Sequence, residues 1–99
     1  MAYVRVGQFA AIPEHADELK CIYERDAIPV IRAAEGNVSA ALLQQHASPD
    51  QFLAITIWAT AADAERYDKS GQALAVVDKV RFAFAGSPTL TTYDAFGLA

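Results

Sequence analysis

Residues 51–58 read Gln51-Phe52-Leu53-Ala54-Ile55-Thr56-Ile57-Trp58, and Ser48-Pro49-Asp50 stands in front of them. The run is rich in β-branched and aromatic residues and the preceding triplet supplies turn chemistry, so a strand is predicted over Gln51–Trp58. Successive side chains of a strand point to opposite faces. Phe52, Ala54, Thr56 and Trp58 therefore share one face, and Leu53, Ile55 and Ile57 the other. Neither face is polar. A half-solvated antiparallel strand alternates apolar with polar residues, so this one is expected to be covered on both sides.

The segment before the turn, Val38 to Gln45, repeats the pattern: Val38, Ala40 and Leu42 oppose Ala41 and Leu43, and the two strands should form a hairpin. Further upstream, Tyr3 to Ala10 is predicted as strand one, ending at a Pro-containing boundary. Helix one follows. Pro13 suits a first helical position, Glu14, Asp17 and Glu18 complement the positive helix N-terminus, and Ile12, Ala16, Leu19 and Tyr23 recur at helical spacing as a sheet-facing stripe. Pro29 lacks the amide that would bond back to Arg25, so the helix should kink there before ending near Glu35-Gly36.

Downstream of the hairpin, Thr60 with Asp63 three residues on resembles a capping box and starts helix two, which Ser70-Gly71 interrupts. Helix three presents Ala73, Val77, Val80 and Phe84 as its apolar face; Gly86 and Pro88 end it and release strand four, Thr89 to Phe96. The order β-α-β-β-α-β, with the second helical unit broken in two, is that of an α+β, ferredoxin-like antiparallel sheet with helices on one face. The other face is apolar and has no cover within the chain, since no internal repeat, linker or low-complexity segment is visible. A second copy of the chain is the expected cover, making a homodimer.

Ninety-nine residues, 54% hydrophobic and 20% charged, are those of one folded domain, expected to span residues 1–99. The net charge of −4 repels phosphate backbones and anionic lipid, so neither nucleic acid nor membrane is an expected partner. Cys21 is the sole cysteine, which excludes an internal disulfide and removes the thiolates of a structural zinc site. With no signal peptide and no run of about 20 apolar residues, a cytoplasmic location is expected.

Three pieces of the chain together resemble the antibiotic-biosynthesis monooxygenase-like family of the dimeric α+β barrel group. They are Phe9-Ala10-Ala11-Ile12-Pro13 entering helix one, Ala34-Glu35-Gly36-Asn37-Val38 entering strand two, and Ala54-Ile55-Thr56-Ile57-Trp58 with Ala64 to Tyr67 following. The resemblance covers nearly the whole chain and is carried by the order and spacing of the pieces. It implies a dimeric barrel with a ligand pocket between sheet and helices in each subunit. It also implies a chemistry, cofactor-independent oxygenation of phenolic or anthrone-type substrates through reaction of the substrate anion with dioxygen. Such an enzyme needs no cofactor, consistent with a chain that has no Gly-rich phosphate loop, no metal-ligand cluster and no nucleophile-base-acid constellation.

A pocket of this kind has apolar walls and a few donors for a developing negative oxygen. Trp58 offers an indole N–H at the end of strand three, where the family commonly carries a tryptophan; its other reading is a packing residue at the sheet edge. Tyr67 stands on helix two where relatives often place histidine. Tyrosine donates or accepts a hydrogen bond but is a poor base near neutrality, with an ordinary pKa of about 10. His46, at the end of strand two, is the better placed of two histidines for acid-base work, His15 falling in the exposed first turn of helix one; both are otherwise surface residues. Phe9 and Tyr23 are expected as pocket walls. Arg81 near the base of helix three is expected to neutralise a phenolate, or else to be a solvated helix-face arginine.

Haem-degrading relatives use a polar amide on strand one, a tryptophan on helix two and a histidine on the last helix. Gln8 could stand for the first, but Tyr67 replaces the tryptophan and Val76-Val77 occupy the region of the axial imidazole. The expectation is therefore a cofactor-independent monooxygenase of a small aromatic or quinol-like substrate. The alternative is a non-catalytic module that binds a hydrophobic metabolite on the same barrel.

Overall fold

Four runs of alternating or apolar sequence pair into one antiparallel sheet: β1 (Ala2–Ala10), β2 (Asn37–Gln44), β3 (Gln51–Trp58) and β4 (Thr89–Ala95), in the order β2-β3-β1-β4. This computed structural model describes residues 1–98; Ala99, the last residue of the expected domain, lies outside the described residues. β1 pairs with β3 so that Tyr3 faces Trp58 and Phe9 faces Phe52, which places Tyr3, Arg5, Gly7 and Phe9 on the same side as Trp58, Thr56, Ala54 and Phe52. β2 extends that side with Ala40 opposite Thr56 and Leu42 opposite Ala54.

The expected run of β2 from Val38 is corrected at its first turn. A β-bulge between Asn37 and Ser39 leaves Val38 as the extra residue, 56% exposed, instead of in line with Ala40 and Leu42. The bulge absorbs one residue, so Asn37 opposite Trp58 and Ala40 opposite Thr56 keep the helix-facing side in register.

The connection from β1 to β2 is helical in pieces: a 3-10 turn Pro13–His15, α1 (Ala16–Ile22), a π turn Tyr23–Ala27 and α2 (Ile28–Ala33). The irregularity foreseen at Pro29 takes the form of that π turn. The Ile28 N–H bonds back five residues to the Tyr23 carbonyl, and Pro29, which has no N–H to give, follows in the first turn of α2. The extra residue in the turn rotates the buried stripe, so that Leu19 and Tyr23 are followed inward by Ala27, Ile28 and Ile31.

α3 (Ala61–Lys69) starts as expected: Thr60 is extended, its Oγ1 accepts the Asp63 N–H at 3.2 Å and donates to Asp63 Oδ2 at 2.9 Å. Gly71, with φ of 85°, separates α3 from α4 (Gln72–Val80). The apolar face of α4 differs from the expected one. Val76 and Val80 are the buried pair, Val77 is half-buried, and the helix stops before Phe84. A 3-10 turn Arg81–Ala83 intervenes, and Phe84, extended, bridges to Ala11 and sets its ring 4.8 Å from Phe9.

The helices cover one face of the sheet. Beneath them lie two clusters, one around Tyr23, Ile28, Ala40, Trp58 and Tyr67, the other around Phe9, Leu19, Phe52 and Val80. Each large apolar side chain removed from water there stabilises the fold by about 1.5–3 kcal/mol. The opposite face carries Val4, Val6, Ala41, Leu53, Ile55 and Ile57, half-buried among their own strand neighbours and in neither cluster, with Leu43 and Tyr93 exposed beside them. β4 lies beyond the reach of the helices, and every residue from Thr89 to Asp94 is exposed.

Candidate active site

Trp58 closes β3 on the helix-facing side and is fully buried. Its indole N–H donates to Thr56 Oγ1 at 2.9 Å, two residues back on the same face of the strand, so the donor foreseen for a ligand is already engaged. The indole ring lies 5.2 Å from the ring of Tyr67, tilted by 36°. α3 brings Tyr67 there because Ala64 and Tyr67, three residues apart, form its buried edge.

Tyr67 is 7% exposed and its hydroxyl, buried, has no hydrogen-bond partner among the described residues. Burial, with the nearby charge of Asp68 adding to it and Arg5 opposing, holds this phenol above its ordinary pKa. Arg5 and Asp68 form an ion pair of 2.7 Å that joins β1 to α3. Tyr23, at the start of the π turn, belongs to the same cluster and is also 7% exposed. Burial pushes its pKa up to about 12, and the nearby Tyr67 phenol adds to the shift because two phenolates would repel each other. Both phenols are therefore neutral hydrogen-bond donors near pH 7, in an otherwise apolar layer.

Next to this cluster a cleft of about 640 Å3 opens between the α1-to-α2 segment and the edge strand β2. Its apolar surface comes from Ile28, Ala40, Leu42 and Phe52, and its polar surface from Lys20, Glu24, Arg32 and Gln44. Ile28 and Ala40 also belong to the cluster of Trp58, Tyr23 and Tyr67, so the cleft and the tyrosines share these two residues. The volume is within the range of about 300–1,000 Å3 usual for small-molecule sites. A smaller hollow of about 120 Å3 lies beside Tyr67, among Ala34, Glu35, Asp63 and Arg66.

Of the six residues singled out in the sequence, the fold brings together Trp58, Tyr67 and Tyr23. Phe9 is one step removed: it stacks on Phe52, a cleft residue, with ring centres 5.5 Å apart and is not itself among the residues that line the cleft. His46 is exposed in the β2-β3 turn and borders a separate hollow with Gln8, Leu43 and Leu53, on the other face of the sheet from Trp58. Arg81 is exposed and holds Asp78 at 2.8 Å. The cleft residues Lys20, Ile28, Arg32 and Leu42 were not foreseen. The signal for them was Pro29, which follows the irregular turn at the start of α2 and itself lines the cleft. Among the described residues no group of three or more His, Cys, Asp or Glu is placed to hold a metal ion, and no helix is long and apolar enough to cross a membrane.

No curated protein sequence matches the chain. Among solved structures, a Nitrosomonas europaea protein provisionally described as an antibiotic biosynthesis monooxygenase superposes with a TM-score of 0.84 at 20% identity, over 97% of this chain and 91% of that one. A Bordetella bronchiseptica protein with the same provisional description gives 0.85 at 14% identity, over 96% and 97% of the two chains. SnoaB, a cofactor-independent oxygenase from Streptomyces nogalater, gives 0.82 at 16% identity, over 95% and 92%. At these identities the likeness is one of fold, a four-stranded antiparallel sheet with helices on one side. The profile of the antibiotic biosynthesis monooxygenase family matches residues 2–79, most of the chain, and the chain belongs to that family.

Proposed function

We propose that the protein is a cofactor-independent monooxygenase of a small aromatic or quinol-like substrate, working as a homodimer whose two sheets pack face to face. The observation that carries this reading is the Tyr67 hydroxyl, buried beside Trp58 and Tyr23 with no partner among the described residues. Leaving a buried hydroxyl unpaired costs about 1–3 kcal/mol, a cost that a ligand oxygen would remove. Family membership and the fold shared with SnoaB support the same reading.

The reaction needs little from the protein. A methylene beside an aromatic ketone, once deprotonated, supplies electrons to dioxygen itself; one oxygen atom becomes a new carbonyl and the other leaves as water with the two methylene hydrogens. The site has to exclude water, orient the ring and stabilise the substrate oxyanion. Neutral Tyr23 and Tyr67 fit the last task, and Trp58 positions Tyr67. No member of the cluster is a base near neutrality, so the substrate proton goes to solvent or the substrate enters as its anion. The cleft along β2 is the site of entry in this reading, since Ile28 and Ala40 line it and also pack in the cluster of the two tyrosines. The homodimer is supported by the uncovered apolar face of Val4, Val6, Leu53, Ile55 and Ile57, which a second copy would remove from water.

The test is oxygen uptake by the pure protein with a panel of hydroquinones and anthrones, without added metal or flavin. Uptake should survive a chelator and fall in Tyr67→Phe. Binding of these compounds without any uptake would instead make the protein a non-catalytic module for hydrophobic metabolites.

A further inference from the structure

The protein has a net charge of −4, and four of its five arginines are matched to carboxylates: Arg5 with Asp68, Arg25 with Asp26, Arg66 with Asp63 and Glu35, and Arg81 with Asp78. Arg32 is the fifth, and no carboxylate among the described residues is within ion-pair distance of it. It stands on the wall of the cleft, where one Nη2 donates to the Ala40 carbonyl at 3.3 Å. That single long contact leans the exposed guanidinium toward β2 and leaves most of its five donors free.

Lys20 is on the same cleft wall. Its ammonium is 3.0 Å from an Asp17 carboxylate that is itself 95% exposed, a pairing that solvent screens, and it donates to Gln44 Oε1 at 3.3 Å. Glu24 is the one carboxylate on the wall among the described residues and offsets part of this charge. Between the cations lies the apolar floor of Ile28, Ala40, Leu42 and Phe52.

A planar guanidinium with free parallel donors, exposed at the edge of an apolar surface, matches a carboxylate joined to an aromatic ring better than it matches a neutral molecule. We infer that the substrate of this cleft carries a carboxylate, which Arg32 binds through paired N–H groups with Lys20 adding charge, while its rings lie on Ile28, Leu42 and Phe52. The inference rests on the proposed use of the cleft as the substrate site. It narrows the substrate class to aromatic acids.

Binding of 2-naphthoate and of its neutral methyl ester, followed by calorimetry on the full chain, separates the two claims. The acid should bind about ten-fold more tightly than the ester, the effect of one charge-assisted pair. Arg32→Gln should remove that difference and leave the ester unaffected, Arg32→Lys should retain part of it, and Glu24→Gln should tighten the acid alone. Equal affinity of acid and ester, or an equal loss of both in Arg32→Gln, overturns the carboxylate inference; if Leu42→Trp then still blocks both ligands, the cleft stands as the site. Should Leu42→Trp unfold the protein, Gln44→Trp at the exposed mouth serves in its place. Failure of both ligands to bind, or binding that ignores the blocking variant, overturns the inference together with the site assignment.

Discussion

Thr56 and Trp58 lie two residues apart on the helix-facing side of β3, and the threonine Oγ1 accepts the indole N–H at 2.9 Å. This bond orients the ring that packs against Tyr67. Thr56→Val keeps the shape of the side chain but strands a buried donor, and it should destabilise the protein by about 1–3 kcal/mol in urea unfolding. Thr56→Ser, which keeps the acceptor, should recover most of that loss.

Tyr67→Phe removes a buried hydroxyl that has no partner among the described residues. The variant should be as stable as the parent protein or more stable by about 1 kcal/mol, while oxygen uptake falls by about ten-fold or more. Stability and activity moving in opposite directions marks a group retained for function. A parallel loss of both would instead assign Tyr67 to packing alone.

The two buried phenols make stability depend on alkaline pH. Tyr23 ionises at about 12 in the folded protein against 10.0 for an ordinary tyrosine, and Tyr67 is shifted in the same direction. Below pH 10 both folded and unfolded chains keep these protons. Between pH 10 and about 12 the unfolded chain releases them first, so it binds fewer protons and stability falls as pH rises through this window. The loss attributable to Tyr23 is about 2 kcal/mol. Urea midpoints measured across the window should decline in the parent protein and decline less in Tyr23→Phe.

Gly36 and Gly71 both have positive φ, 82° and 85°, but they stand in different surroundings. A Cβ on Gly36 would overlap the carboxyl and Cβ of Asp63, the residue that holds the Thr60 cap and Arg66; a Cβ on Gly71 would meet nothing within 4 Å. Gly71→Ala should cost about 1–2 kcal/mol from backbone strain alone. Gly36→Ala should cost more, because the clash also displaces the cap, and its melting temperature should fall further by about 4–8 °C for each additional kcal/mol.

Ile55 sits mid-strand on the face that the helices leave open. If a second copy covers that face, Ile55→Asp places a charge in the interface and should convert a sedimenting dimer into a monomer at micromolar concentration. A parent protein that sediments as a stable monomer would remove the dimer from the proposal.

Much of the architecture was legible because it depends on local rules. The bounds of β3, the Thr60 cap, the break at Gly71 and the disturbance around Pro29 follow from strand composition, side-chain capping, glycine and the missing proline amide. The misreadings occurred where backbone pairing outweighed periodicity. Val38 looked like one more inward residue until the bulge set it apart, and Phe84 continued a helical spacing but ended up extended against Ala11.

The candidate site divides in the same way. Sequence alone determined that aromatic side chains would be buried where β3 meets the following helix and that the far side of the sheet would be apolar, since alternation along a strand assigns each residue to a face. Only the tertiary structure decided that Trp58 spends its N–H on Thr56, that Tyr23 joins Tyr67 while His46 and Arg81 lie elsewhere, and that Arg32 overlooks a cleft without a carboxylate partner among the described residues. Those outcomes depend on which elements pack side by side and on which groups find partners across them. Distances of a few ångströms between residues far apart in the chain settle both, and no local pattern encodes such distances.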